Sequence, residues 1–175
     1  MEELSFCLST LGLVSLIVAS LIKGEQMKKT LMFVFAGNAL VALSYVFTKD
    51  GLNGAASSFI GAAQAIINYF FDSKNKPLPI WLIVVYALSF IAVNVAVLSS
   101  PVGIIAMAAS LCFVGCVTAK SGKGYRFWQV LNNGLWILYD ILSKSYAPLT
   151  VHIILCVFTI AGMIINDVKL KKEEK

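Results

Sequence analysis

Seven long apolar runs, separated only by short polar linkers, constrain this chain more than any other feature. They cover residues 4–22, 31–47, 52–71, 79–98, 102–119, 127–142 and 148–165, and every charged residue except Asp140 lies outside them. A bilayer core about 30 Å thick needs about 20 residues of helix, and most of these runs fit that length. The sixth is the weakest, because it carries Asp140 and needs Tyr125 and Arg126 to complete a span. The linkers are too short to hide a soluble domain. Inside lipid every backbone N–H and C=O has to be satisfied within its own segment, so the runs are expected to be helices. A barrel would alternate polar and apolar residues, and stretches such as residues 80–85 do not. Composition agrees: 13% of residues are charged against a hydrophobic share of 59%, where soluble domains carry roughly a quarter charged. The expected fold class is an all-α integral membrane protein of seven transmembrane helices.

Charge sets the expected orientation. Counting Lys and Arg by side places twelve on one face (Lys23, Lys28, Lys29, Lys74, Lys76, Lys120, Lys123, Arg126, Lys169, Lys171, Lys172 and Lys175) and two, Lys49 and Lys144, on the other. The positive-inside bias makes the first face cytoplasmic, with the N-terminus outside and the C-terminus inside. The start Met1-Glu2-Glu3 is acidic where a secretory signal is basic, so the first run is expected to stay as a helix. The net charge of +5 is accounted for by topology and attraction to anionic headgroups, and no nucleic-acid partner is expected.

An internal repeat follows from a shift of 95 positions, which lays Asn38-Ala39-Leu40 on Asn133-Gly134-Leu135, Lys49 on Lys144, Ser57 on His152 and Gln64 on Thr159. Three helices per repeat is an odd number, so a direct second copy would arrive inverted. One extra helix restores a parallel arrangement, a known transporter plan. The expected organisation is a first three-helix repeat over residues 1–76, a linker helix over 77–100, and a second three-helix repeat with a basic tail over 101–175. Small residues recur at helical spacing in the first helix of each repeat: Ser5, Ser9, Gly12, Ser15 and Ala19, then Gly103, Ala106 and Ser110. Small residues let helix backbones approach closely in lipid, so these stripes are expected to pack.

Polar groups at bilayer depth are expensive and normally face a bundle interior or a cavity. The second and third helices carry Asn38 with Tyr45, and Asn53, Ser57, Gln64 and Asn68 on one stripe. The sixth and seventh carry Gln129, Asn133, Trp136 and Asp140, and His152, Cys156, Thr159 and Asn166. Two readings fit. These groups line a central cavity between the repeats, or they hydrogen-bond between helices and hold the bundle together. On the first, Asn38, Gln64, Asn68, Asn133, Trp136 and Thr159 bind a solute, and Tyr45, Asp140 and His152 gate it. Trp136 offers an aromatic plane, and Trp81 and Trp128 read as interfacial anchors. Cys112 and Cys116 share a helix face without His or carboxylate nearby in sequence, so Cys7, Cys112, Cys116 and Cys156 read as small hydrophobes and no metal ion or other cofactor is expected. No phosphate loop, zinc cluster or nucleophile–base pair supports an enzyme.

The string Asn132-Asn133-Gly134-Leu135-Trp136-Ile137-Leu138-Tyr139-Asp140, the loop Ser145-Tyr146 and the helix end Ile164-Ile165-Asn166 resemble the YgjV-type bacterial inner-membrane proteins. So do Gly51-Leu52-Asn53-Gly54-Ala55-Ala56 and Asn68-Tyr69-Phe70-Phe71. That family is grouped with SWEET sugar transporters, PQ-loop proteins and nicotinamide riboside transporters. The resemblance implies a bacterial inner membrane and the three-plus-one-plus-three fold. The chain departs from its wider kin: Pro77, Pro79, Pro101 and Pro148 lie at helix ends or in loops, and no Pro-Gln dipeptide is present. Any hinge falls to Gly37, Gly61, Gly134 or Gly162. The expectation is a facilitative transporter of a small neutral solute, a sugar or a nucleoside-like vitamin precursor. The alternative is a non-transporting accessory bundle that binds a protein partner or lipid. Assembly with further copies of the chain is left open.

Overall fold

The computed structural model describes residues 2–23, 27–47, 52–96, 101–144 and 146–168, the side chains at 2, 52–54, 147 and 168 excepted. Lys49, the side chain of Asn53 and the basic tail from residue 169 lie outside the described residues. Among them the chain forms seven α-helices and no strand: α1 (Glu2–Leu21), α2 (Met27–Val46), α3 (Leu52–Ser73), α4 (Ile80–Ala96), α5 (Gly103–Thr118), α6 (Gly122–Leu142) and α7 (Tyr146–Met163). A π-helical turn, Ile164–Val168, continues α7. Each helix matches one apolar run of the sequence to within a few residues. The largest extension is at α6, which begins at Gly122 because the Ser121 side chain caps it by accepting the Gly124 N–H at 3.2 Å. At the end of α3, Asn75 takes the left-handed conformation (φ 50°) and the Lys76 N–H donates to the Phe71 carbonyl at 2.9 Å, a Schellman-type stop.

Consecutive helices pack against one another all the way round, and α7 returns to α1. The register of α1 on α2 is antiparallel: Ser5 donates to the Ser44 carbonyl at 3.0 Å and Ser15 to the Phe33 carbonyl at 2.8 Å. Between these bonds Gly12 and Gly37 face each other so closely that a Cβ on Gly12 would stand 2.9 Å from the Gly37 carbonyl oxygen. The small-residue stripe of α1 is thus a backbone-to-backbone contact surface. On α5, Ala106, Ala109 and Ser110 are buried likewise, and Asn94 of α4 donates to the Ser110 hydroxyl at 3.2 Å.

The interior holds many polar side chains beside its apolar clusters, while many large hydrophobic side chains stand outside. Fully buried side chains include Arg126, Tyr125, Gln64, Asn133, Thr30, Thr159, Asp140 and Ser20, while Phe6, Ile80, Trp81, Val157 and Tyr146 stand more than half exposed. On α6 the buried face is Gly122, Tyr125, Arg126, Gln129, Asn132, Asn133 and Asp140, without one aliphatic side chain. Its exposed face carries Phe127, Leu131, Leu138, Ile141 and Leu142. Such a surface suits a hydrocarbon solvent and not water. Three helical stretches, Glu3–Leu21, Met27–Val46 and Pro148–Asp167, are long and apolar enough to cross a membrane. The helices α4 and α5 are apolar but shorter, at 17 and 16 residues. The 22-residue α3 and 21-residue α6 have the length, and their buried amides lower their apolarity.

Apolar packing concentrates at the end of the bundle where α1 finishes. Ala19, Met27, Leu31, Val34, Ala65, Cys116, Val117 and Tyr125 form one buried cluster drawn from five helices. A second cluster, Leu82, Tyr86, Phe90 and Val114, joins α4 to α5.

Candidate functional site

The inward face of α6 organises the polar interior, and its side chains divide by what they touch. Tyr125 and Arg126 lie at the end of the bundle where α1 finishes. Gln129, Asn132 and Asn133 follow at mid-helix, and Asp140 sits at the opposite end. Asn132 donates to the Ala109 carbonyl of α5 at 2.7 Å. Its neighbour Asn133 is equally buried, yet its Nδ2 has no hydrogen-bond partner in the protein, and neither has Gln129 Oε1. On α3, Gln64 is 1% exposed and both polar atoms of its amide, Nε2 and Oε1, lack a protein partner. A buried amide without a partner costs about 1–3 kcal/mol. These atoms belong to Gln64 near the middle of α3 and to Gln129 and Asn133 in the central stretch of α6. They can donate and accept hydrogen bonds to a guest, and they carry no net charge.

The other residues expected at the site are committed elsewhere. Asn68 donates to the Val117 carbonyl of α5 at 2.7 Å and accepts from the Tyr86 hydroxyl of α4 at 2.9 Å, tying three helices together. The Thr159 hydroxyl donates to the Leu155 carbonyl at 2.7 Å and lies 3.1 Å from the Ser20 hydroxyl of α1. Asn38 is half-buried and turns its Nδ2 back to the Val34 carbonyl of its own helix at 2.9 Å. Its Oδ1 lies against Gly61 of α3, where a Cβ would meet it at 2.9 Å. Gly61 thus permits this close approach of Asn38.

Trp136 meets two other rings. The His152 ring stacks on it at 5.4 Å with 12° between the planes, and the Tyr139 ring meets it edge-on at 5.5 Å. His152 Nδ1 is 2.7 Å from Asp140 Oδ2, and the Asp140 side chain is 2% exposed. Tyr45 of α2 is more exposed and lies within electrostatic reach of Asp140. The structure therefore brings Trp136, Asp140 and His152 together at one end of the bundle, one residue from the solute-binding set joining two of the candidate gate residues. The belt reading of Trp128 is also modified, because its ring lies against Gly115, 2.5 Å from where a Cβ would stand.

Sequence reading missed the most constrained group in the molecule. The sequence places Arg126 among the cytoplasmic-side charges and at the edge of the sixth span, whereas α6 begins four residues earlier and carries it fully inside. Its guanidinium forms a two-pronged ion pair with Asp167, with Nε 2.9 Å from Oδ2, and donates through Nη1 to the Ile22 carbonyl at 2.7 Å. Asn166 donates beside it to the Leu21 carbonyl at 3.0 Å. Both acceptors are the closing carbonyls of α1, which lack partners within the helix and sit at its negative dipole end. The π-helical turn after α7 sets adjacent residues, Asn166 and Asp167, toward this point together. The spacing Tyr125, Arg126, Gln129, Asn132, Asn133 was the available signal: the polar face of α6 continues through Arg126 without a break.

The interior is thus zoned. The Arg126–Asp167 ion pair occupies one end of the α6–α7 contact and the Asp140–His152 contact the other, and neutral amides with unfilled hydrogen-bonding capacity occupy the stretch between. Compared with protein-family models, with curated proteins and with solved structures, the chain matches none.

Proposed function

We propose that this protein is a facilitative membrane transporter of a small neutral solute, and that it does no chemistry on what it carries. The observation that carries this reading is the set of buried, unpartnered amide atoms on Gln64, Asn133 and Gln129. Amides without partners at this depth are a standing cost unless a polar guest uses them. Their neutrality suits an uncharged, hydroxyl- or amide-bearing solute. A sugar or a nucleoside-like vitamin precursor has that chemistry. Gln64 and Asn133 are the primary binding residues in this proposal, with Asn38 beside them. Asn68 and Thr159 brace the helices that hold the site, and Trp136, Tyr45, Asp140 and His152 form its outer gate.

The proposed arrangement has all seven helices crossing the membrane, as two parallel three-helix repeats about the linker helix α4. The contact order supports it, since α1–α2–α3 and α5–α6–α7 each pack in succession and α4 lies between α3 and α5. The charge bias of the loops supports an N-terminus outside and a C-terminus in the cytoplasm. The resemblance to YgjV-type inner-membrane proteins points the same way and suggests a bacterial inner membrane. The test is a thermal-shift screen of purified protein against sugars, nucleosides and vitamin precursors, repeated on Gln64→Leu and Asn133→Leu. A solute that stabilises the native chain and neither variant, both of which fold, supports the site.

A second reading, an accessory bundle that binds a partner or lipid, is favoured by one observation. Asn68, Asn132 and Asn166 all donate their side-chain amides to carbonyls of other helices. If no solute shifts the native protein and Asn133→Leu alters nothing but stability, that reading takes its place.

A further inference from the structure

We infer that Arg126 is a latch, and that the end of the bundle where α1 finishes is the end that opens and closes as the protein works. The inference rests on the transporter reading above and assigns that transporter its inner gate. Among the described residues, side-chain links join the first three helices to the last three at this end. They include Arg126 to the Ile22 carbonyl, Asn166 to the Leu21 carbonyl, Thr159 beside the Ser20 hydroxyl, and Asn68 to the Val117 carbonyl. Among the described residues at the opposite end, Ser5–Ser44 and Asp140–His152 each stay within one set of three helices.

The chemistry of the closed end is that of a fastening which can be undone. A pure apolar seal would lose contact area on opening with nothing in return. A buried ion pair is different, because water solvates both partners when the pair separates, and the desolvation cost it carried when closed is recovered. The same holds for the closing carbonyls of α1, which water satisfies as readily as Arg126 does. Open and closed forms are thereby kept close in energy, as a two-state element requires. Beneath the latch lies Cys116, which is fully buried and belongs to the apolar cluster with Ala19 and Tyr125. Tyr125 precedes Arg126 in the chain, so loss of the latch frees the lid over this thiol.

The test uses the full chain in inside-out or permeabilised membranes, with Cys7, Cys112 and Cys156 replaced by Ala so that Cys116 is the one thiol. N-ethylmaleimide is the probe. Arg126→Gln is expected to speed Cys116 modification at least tenfold, and Asp167→Asn, which spares the arginine, several-fold. A matched reporter at the far end, Ser44→Cys with Cys116→Ala, keeps its slow rate in both backgrounds. Equal acceleration at the two ends means a strut whose loss loosens the whole fold, and overturns the latch. Unchanged Cys116 reactivity in folded Asp167→Asn and Arg126→Gln overturns it too. The assay needs no solute, so its failure overturns the latch and leaves the transporter reading standing, while the thermal-shift screen tests that reading separately.

Discussion

Two adjacent asparagines on α6 make opposite predictions. Asn132 and Asn133 are both buried, at 5% and 1% exposure, and differ in one respect: Asn132 Nδ2 has the Ala109 carbonyl at 2.7 Å and Asn133 Nδ2 has no protein partner. Leucine, with the same number of side-chain heavy atoms and a larger volume, removes either amide. Asn132→Leu gives up an interhelical hydrogen bond, worth about 0.6 kcal/mol on average in a membrane protein and about 1.7 kcal/mol at most. The Ala109 carbonyl keeps its place in the α5 ladder, so no orphan acceptor adds to that loss. Asn133→Leu instead removes an unpaired donor whose burial costs about 1–3 kcal/mol. Some of that gain is returned in fitting a branched side chain, so the expected change runs from none to about 1 kcal/mol more stable. Unfolding in mixed detergent–SDS micelles, followed by circular dichroism, measures both. Asn132→Leu should unfold at lower SDS and Asn133→Leu at equal or higher SDS than the native chain. If Asn133→Leu loses as much stability as Asn132→Leu, the Asn133 amide is paired within the protein. The argument from unfilled hydrogen-bonding capacity then fails. A more stable Asn133→Leu that no longer responds to a solute would show stability exchanged for function.

Glycine substitutions separate contact from conformation. Gly162→Ala drives a Cβ into the Ser20 carbonyl and should destabilise by roughly 1–3 kcal/mol, while Gly134→Ala meets nothing within 4 Å and should be neutral or gain up to about 1 kcal/mol in the same SDS assay. Tyr86→Phe and Asn68→Leu should couple in a double-mutant cycle, because the Tyr86 hydroxyl donates to Asn68 Oδ1; a coupling energy indistinguishable from zero denies the bond. For topology, a thiol engineered at Lys49 should label from outside intact cells and one at Lys123 only after permeabilisation, and outside labelling at Lys123 would reverse the orientation. Trp136→Phe should keep the stack on His152 and cost less stability than Trp136→Ala, which opens the whole ring site; equal losses would mean that the stack contributes nothing.

The sequence by itself determined the number and order of the helices among the described residues, because each long apolar run buries or exposes a continuous backbone whose polar groups pair most readily within their own helix. Apolar run length then translates into helix length, as it does from α1 through α7. It also determined that the α1 stripe of Ser5, Gly12, Ser15 and Ala19 would pack, since small residues in lipid have little other use. The periodic polar face of α6 was legible too, but a stripe on one helix does not say which atoms find partners on the next. Asn132 and Asn133 have the same chemistry and adjacent places, and only the approach of Ala109 distinguishes the bonded amide from the unbonded one. Gln64 and Asn68 sit one turn apart on α3, and only the arrival of Tyr86 and Val117 makes Asn68 a brace and leaves Gln64 unpaired. Arg126 shows the limit most sharply. A charge at the edge of an apolar run reads as a loop charge, whereas the docking of α1 and the π-helical turn after α7 supply it with an interior partner 41 residues away and a carbonyl 104 residues away. Such partners are brought together by packing between helices far apart in the chain, and local periodicity carries no record of that packing.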